Sequence, residues 1–413
     1  MKLQNLIYAT MVACAFSACS NDDDPNIPDP AQELDATFTT AFSAVGNSGS
    51  PLKSLTKAGD DTFGTVKKIG LAVFNDGAMG GAMASGTLLS YVEKDNQADT
   101  TACVAAKSGD VKVLVIANPT KDMFKDAATL KGFLDKISSE AIKTDNLLMS
   151  SQVYKLTLKA GRNVMVKELS GSVFENNTTN SQLVRGENIK VYRNVARVEV
   201  PSITVNPREG FGKGKGATFT LSKVFVANVR SGVRVGGQDD VTDLFGAEKA
   251  WCSVVDLKST LKVGSATEND DAYSKVIKKE IKYAGTEPDG KKETIDGAQF
   301  FVYDNASADV IATPKESATL LVLKGTYSYV TDAGTTTTDQ AYWTVAINNS
   351  LDNTAGKDFP AHCGVLRNVK YVMNVTITGP GSGTIDPESN AATLTSKIEV
   401  VNWGEVALDP SID

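Results

Sequence analysis

The residues able to do chemistry are few. The chain has one histidine, His362, and five cysteines among 413 residues. A zinc site built on several histidines is therefore excluded. So is any Ser-His-Asp or Cys-His arrangement that does not use His362. His362 stands beside Cys363, but neighbours on an extended chain point to opposite faces, which argues against a thiol–base pair. Cys103, Cys252 and Cys363 are the cysteines of the body. Three allow at most one disulfide and leave one thiol free, and no CxxC or metal-ligand spacing occurs. They read as small buried hydrophobes. The stretch Gly210-Phe211-Gly212-Lys213-Gly214-Lys215-Gly216 has the glycines of a phosphate loop but not the GxxxxGK(S/T) spacing. It leads into a strand pattern at Thr218–Val226, where nucleotide binding needs a helix N-terminus. A flexible basic hairpin loop is the expectation. The carboxylate pairs Asp239-Asp240 and Asp270-Asp271 read as solvated loops. No catalytic residue, cofactor or metal is expected, and the chain is not read as an enzyme.

Charge and composition narrow the field further. Forty-two Lys+Arg stand against 49 Asp+Glu, net −7, so the basic footprint that a nucleic-acid partner requires is lacking. A hydrophobic fraction of 41% supports real cores. Abundant Thr and Val, with 34 Gly against 13 Pro, lean towards an all-β chain.

Residues 1–18 read as a signal peptide. Lys2 is a minimal basic region, and Leu6–Ala18 is an apolar run too short to span a bilayer. No other stretch is long and apolar enough for a transmembrane helix. The run ends in Phe16-Ser17-Ala18-Cys19, which resembles a bacterial lipobox with Cys19 as the acylated residue. Cys14 after Val12-Ala13 is a second candidate, and an ordinary secretory signal is the alternative. The acidic run Asn21-Asp22-Asp23-Asp24 and Pro25, Pro28 and Pro30 read as a solvated tether.

The elements that must carry the body are mostly strands. Residues 34–45 alternate, with Leu34, Ala36, Phe38, Thr40, Phe42 and Ala44 on one face. A Gly/Ser-rich linker over 46–57 follows, containing Lys53 and Lys57. A strand then runs from Val66 to Val73 and stops at Asn75. Val111–Ala117 is continuously apolar, so a strand covered on both faces is predicted. From Lys121 to Ile142, apolar residues recur at three and four, which predicts one amphipathic helix. Tyr154–Leu158 and Val164–Val166 read as strands. The polar stretch 170–186 is the candidate domain boundary. In the segment 188–200 the apolar phase shifts, which predicts a bulge. Residues 234–299 carry weak periodicity and are not placed. Leu321–Tyr329 and Trp343–Ile347 form a hairpin turning at Asp332-Ala333-Gly334. Tyr371, Met373, Val375 and Ile377 mark a further strand. Many short strands with turn signals between them read as β-sandwiches.

Several of these stretches together resemble the Bacteroidetes fimbrilins, the type V pilus subunits. They are VKVLVIANP, DNLLMSS, Arg193-Asn194-Val195-Ala196-Arg197-Val198, FTLSKVFVANV, FFVYDN, SATLLVLKGTYSY, Leu366-Arg367-Asn368-Val369-Lys370-Tyr371 and Val401-Asn402-Trp403-Gly404. The closing Trp-Gly resembles the minor, short-fimbrium branch, and the acidic run after Cys19 resembles the surface-export signal of Bacteroidetes lipoproteins. The resemblance implies an all-β fold with one short helical insertion and two transthyretin-like β-sandwich domains. It divides the chain into a signal peptide (1–18), a lipidated propeptide with tether and first strand (19–57), an N-terminal domain (58–186) and a C-terminal domain (187–413) with a donor strand near 398–413.

The same resemblance implies export as a lipoprotein, cutting by a surface protease, and self-polymerisation by donor-strand exchange into an adhesive filament on the outer membrane. The partners implied are other fimbrial subunits, the maturation protease, the membrane through the lipid, and a host or bacterial surface receptor. In this sequence the exchanged N-terminal strand would carry Leu34, Phe38 and Phe42. The donor strand would carry Val406, Leu408 and Ile412, alternating with Ala407, Asp409 and Ser411, and would be free in the monomer. Members of the family are cut after arginine, but the first arginine here is Arg162. Lys57 or Lys53 is therefore the expected cleavage residue; otherwise the subunit stays uncut as a base anchor. A monomeric glycan-binding lipoprotein is the alternative function. It would need an aromatic platform from Trp251, Trp343 or Trp403, the last two of which sit in strand patterns and are expected in the core.

Overall fold

The computed structural model describes residues 36–42, 63–77, 84–95, 100–138, 142–165, 189–236, 268–357, 359–390, 393–403 and 406–408. Its described part is dominated by β-strands arranged as two sandwiches. In the first, the larger sheet contains β2 (Lys68–Asn75), β3 (Leu88–Asp95), β5 (Gly109–Ala117), β7 (Met149–Ser151), β8 (Tyr154–Leu158), β10 (Ile189–Arg193) and β23 (Val406–Leu408). Its order is β23-β10-β7-β5-β2-β3, with β8 also on β5. The facing sheet is small: β4 (Thr100–Ala106), β1 (Ala36–Phe42) and β9 (Gly161–Met165), in the order β4-β1-β9.

The second sandwich pairs two larger sheets. One holds β15 (Lys291–Thr294), β11 (Val195–Val205), β21 (Val369–Ile377) and β22 (Leu394–Asn402), with β16 (Gln299–Tyr303) also on β11. The other runs β14 (Ser274–Tyr283), β12 (Ala217–Ala227), β18 (Leu320–Val330), β19 (Thr336–Ala346). Two short ribbons complete the fold: β6 (Ile137–Ser138) with β13 (Val233–Arg234), and β17 (Asn305–Ser307) with β20 (Cys363–Val365).

The alternation read in the sequence reappears as burial. Along β21 every second residue from Val369 to Ile377 is buried, and these join Phe219, Tyr327 and Trp343 in the second core. Trp343 packs edge-on against Phe219 at 4.9 Å, and its indole nitrogen donates to the Gly379 carbonyl at 3.0 Å. The hairpin β18/β19 turns where expected, with Gly334 at φ 78°, a conformation that suits glycine. Strand β5 is covered on both faces: Val111, Val113 and Val115 enter the core between the sheets, while Leu114 and Ile116 lie in a second cluster with Phe124 and Phe133.

That second cluster holds the largest departure from expectation. The segment 121–142 is not one helix. Turns span 121–126, a five-residue helix occupies Leu130–Leu134, and β6 follows. Asn118 and Asp122 both adopt positive φ, which interrupts a helix. Ala128 and Leu130 then bond to the strand side, Leu88 N to Ala128 O at 2.9 Å and Leu130 N to Gly86 O at 2.7 Å. Main-chain pairing to a neighbour therefore overrides the local period. The apolar residues are still used: Phe124 and Phe133 stack at 4.4 Å, with Tyr91 edge-on to both. Ile137, counted on the apolar face, is instead exposed.

The phase shift near 194 is not a bulge either. The chain changes sandwiches at Asn194, leaving β10 in the first and entering β11 in the second. Asn194 anchors the crossing: its N–H donates to Leu148 O, its Nδ2 to Val235 O, and its Oδ1 accepts from Ser150 Oγ. A bulge does occur further on, between Glu199 and Ser202. Strands β10 and β23, although beyond the expected boundary, both hydrogen-bond into the first sheet. Of the stretch 234–299, residues 268–299 contribute β14 and β15 and the start of β16, while 237–267 lie outside the described residues.

A buried ion pair ties the segment after β16 to the turn before β21, both belonging to the second sandwich. Arg367 donates to Asp304 Oδ2 from Nε at 3.1 Å and Nη2 at 2.8 Å, and from Nη1 to the carbonyls of Arg234 and Gly236.

Candidate functional site

The small sheet of the first sandwich is the feature to which the sequence pointed. Strand β1 runs through its centre. It pairs antiparallel with β4, from Ala36 opposite Ala106 to Phe42 opposite Thr100. On its other side it pairs parallel with β9, from Ala36 opposite Gly161 to Thr40 opposite Met165. Among the described residues, β4 and β9 are joined only through β1. Ala36 and Phe38 are fully buried in the same cluster as Val104, Val113 and Leu156. Thr37 is buried as well, so the strand is enclosed on both faces here rather than half-exposed.

The β9 edge is shaped by a side chain that the sequence did not single out. Asn163 is fully buried. Its Oδ1 accepts from Lys159 N at 3.0 Å, and its Nδ2 donates to Lys159 O at 2.8 Å, closing the turn between β8 and β9. The same Nδ2 donates to Thr37 O of β1 at 3.2 Å. On the β4 side, Cys103 lies opposite Thr39 and is disulfide-bonded, which corrects its reading as a simple buried hydrophobe. No periodicity could have marked Asn163, because its partners are set by a tight turn and a distant strand.

The C-terminal tail is placed too. Strand β23 pairs antiparallel with β10, Leu408 opposite Ile189 and Val406 opposite Val191. The tail is therefore docked on the chain's own first sheet, which corrects the expectation of a free strand in the monomer. The reason is that β10 forms the sheet edge, and an open edge offers main-chain donors and acceptors to any nearby strand. Cys19, Leu34, Lys53, Lys57, Trp251, Cys252 and Ile412 lie outside the described residues.

The remaining chemical candidates take structural positions. His362 is fully buried, with Nδ1 2.7 Å from Pro360 O and Nε2 2.6 Å from the Tyr371 hydroxyl. Burial pushes its pKa down to about 4. Cys363 is a free buried thiol whose pKa burial pushes up. Trp343 and Trp403 are buried, so neither can serve an exposed aromatic platform. The glycine-rich loop 210–216 leads into β12, and Lys215 in it pairs with Asp332 at 2.6 Å. Among the described residues no cluster of three or more metal-ligand side chains occurs, and no helix is long and apolar enough to cross a membrane.

The architecture defines an all-β protein with a small sheet built around its first described strand. Residues 40–197 match the family model described as major fimbrial subunit protein (FimA). The chain is 23% identical to the major fimbrium subunit FimA type-2 of Porphyromonas gingivalis, over 98% of each protein. It is 22% identical to the type-3 subunit over the same shares. Its fold is similar to a crystal structure of a putative cell adhesion protein from Parabacteroides distasonis, with TM-score 0.61 at 20% identity, covering 89% of this chain and 99% of the other. It is also similar to a fimbrilin from Porphyromonas gingivalis, with TM-score 0.50 at 15% identity, covering 90% and 98%. The chain thus resembles fimbrial subunits in sequence along nearly its whole length and in fold, with the family-model match spanning residues 40–197.

Proposed function

We propose that this chain is a structural subunit of a surface fimbrium that polymerises by donor-strand exchange and mediates cell adhesion. One observation carries the reading: β1, the first described strand, is the central strand between β4 and β9. Its removal leaves two facing strand edges and the cavity vacated by Phe38. A strand from another subunit can satisfy both the main-chain groups and the apolar volume. Burying one such side chain is worth roughly 1.5–3 kcal/mol.

In this reading the precursor is exported through its signal peptide and acylated at Cys19. A surface protease cuts after Lys57 or Lys53 and releases the first strand. A neighbour's C-terminal strand, with Val406, Leu408 and Ile412, then fills the groove. Fimbrium and outer membrane are the locations, and a host or bacterial surface molecule is the receptor. The test is the N-terminal residue of subunits in assembled filaments. Ser54 or Ala58 supports the reading, and subunits still carrying 34–45 overturn exchange.

A second reading, an uncut base anchor, is favoured by the position of Arg162. The first arginine of the chain lies in β9, opposite Thr37 of β1. Its main chain is paired with β1 and offers no open segment to a protease, so an arginine-specific protease would leave the chain whole and lipid-anchored. Cys19→Ala should abolish palmitate labelling and membrane retention under either reading.

A further inference from the structure

Phe63, five residues before β2, and Trp403, three residues before β23, meet where the two sandwiches join. The ring of Phe63 lies 6.2 Å from that of Trp403, edge-on, and 4.9 Å from Phe301. Two arginines close the cluster. The guanidinium of Arg193 lies 4.5 Å above Trp403, and that of Arg197 lies 4.8 Å from Phe63 and 5.8 Å from Trp403. Main-chain groups are held as well: Arg193 Nε donates to Phe63 O at 3.1 Å, and Trp403 N donates to Asn368 O at 3.1 Å. Arg197 is itself paired with Glu199. These contacts come from the end of β10, from β11, from β16 and from the turn before β21, so both sandwiches contribute.

We propose that this arginine–aromatic stack is the fixed joint between the two strands that move during assembly, with Phe63 and Trp403 as its positioning residues. The proposal rests on the strand-exchange reading. Once the linker is cut and β1 leaves, the residues before β2 become a chain end, and chain ends fray unless tied down. The stack supplies the tie at Phe63. At the other side, only Gly404 and Glu405 separate Trp403 from β23, so any movement of the tail starts from a held residue. Desolvated cation–π contacts are the stronger kind, and arginine keeps its charge across physiological pH.

The test uses the full chain and limited trypsin digestion. In wild type cut at the linker, the Lys67–Lys68 bond stays protected. In cut Phe63→Ala, a product starting at Lys68 or Ile69 appears about tenfold faster. In a Lys53→Gln/Lys57→Gln background, where the linker stays closed, Phe63→Ala leaves that bond protected. Trp403→Ala raises hydrogen exchange across β10 and the tail, and Trp403→Phe restores protection. Should Phe63→Ala fail to fold, Phe63→Leu, which keeps apolar volume without a ring face, replaces it. Equal protection of the Lys67–Lys68 bond in cut variant and cut wild type overturns the joint. Retention of β1 in filaments overturns strand exchange instead, so the two failures are separable.

Discussion

His362 Nε2 lies 2.6 Å from the Tyr371 hydroxyl, while that hydroxyl accepts the main-chain N–H of Leu366 at 2.7 Å. With Nδ1 facing a carbonyl oxygen, the ring proton belongs on Nδ1 and Nε2 accepts from Tyr371. A second ring proton would leave the tyrosine hydrogen without its acceptor. The pKa of His362 is accordingly down at about 4, against 6.5 for a solvated imidazole, chiefly through burial. The unfolded chain therefore binds more protons than the folded one between those values. Stability from this group is complete above pH 6.5 and falls as pH drops towards 4, by at most about 1.4 kcal/mol per pH unit. Urea midpoints measured across that range should flatten in His362→Gln relative to wild type; an unchanged slope would remove His362 from the account.

The Arg367–Asp304 pair is expected to be the costliest polar contact to break. Both side chains are almost wholly buried. Arg367→Leu leaves the Asp304 carboxylate without its counter-charge and frees two carbonyls, so a loss of about 3–5 kcal/mol is expected. Denaturant unfolding of the purified precursor measures it.

Phe38→Ala should destabilise the uncut chain by about 3–5 kcal/mol, because the ring is fully buried among the first core. The same substitution should leave the melting of assembled filaments unchanged, since β1 is absent there in the exchange reading. An equal loss in both would mean that the strand stays in place.

Leu408→Asp should block polymerisation, and Asp409→Leu, of opposite phase in the sequence alternation, should do much less. Only three residues of β23 are paired, at a sheet edge. The monomer of Leu408→Asp should therefore stay folded, its melting temperature lower by roughly 2–4 °C or less. Filament yield by size exclusion or microscopy reads the effect, with a melting curve alongside. Wild-type polymerisation by Leu408→Asp removes the tail as donor.

Much of the strand content was legible because a two-residue period is a local property. The alternation of Tyr371, Met373, Val375 and Ile377 and the apolar run of β5 predicted their burial without reference to partners. The same local reasoning failed at 121–142. A helical period there is satisfied by turns, because Leu88 and Gly86 capture the main chain of Ala128 and Leu130. Asn163 was invisible for a related reason: a lone asparagine in a polar turn acquires its role only when β1 arrives more than a hundred residues upstream.

By itself, the sequence determined that the chain is β-rich and that its single histidine could support little chemistry. It also marked a strand at 34–45, of which 36–42 is described as β1. Only the tertiary structure decided that this strand is the centre of a small sheet, flanked by β4 and β9. It alone decided that the chain changes sandwiches at Asn194 and that the tail sits on β10. The physical reason is that side-chain period fixes which face of a strand is buried, whereas hydrogen-bond partners depend on strands far apart in sequence. Closing longer loops costs only slowly more, so chain separation says little about which edges meet.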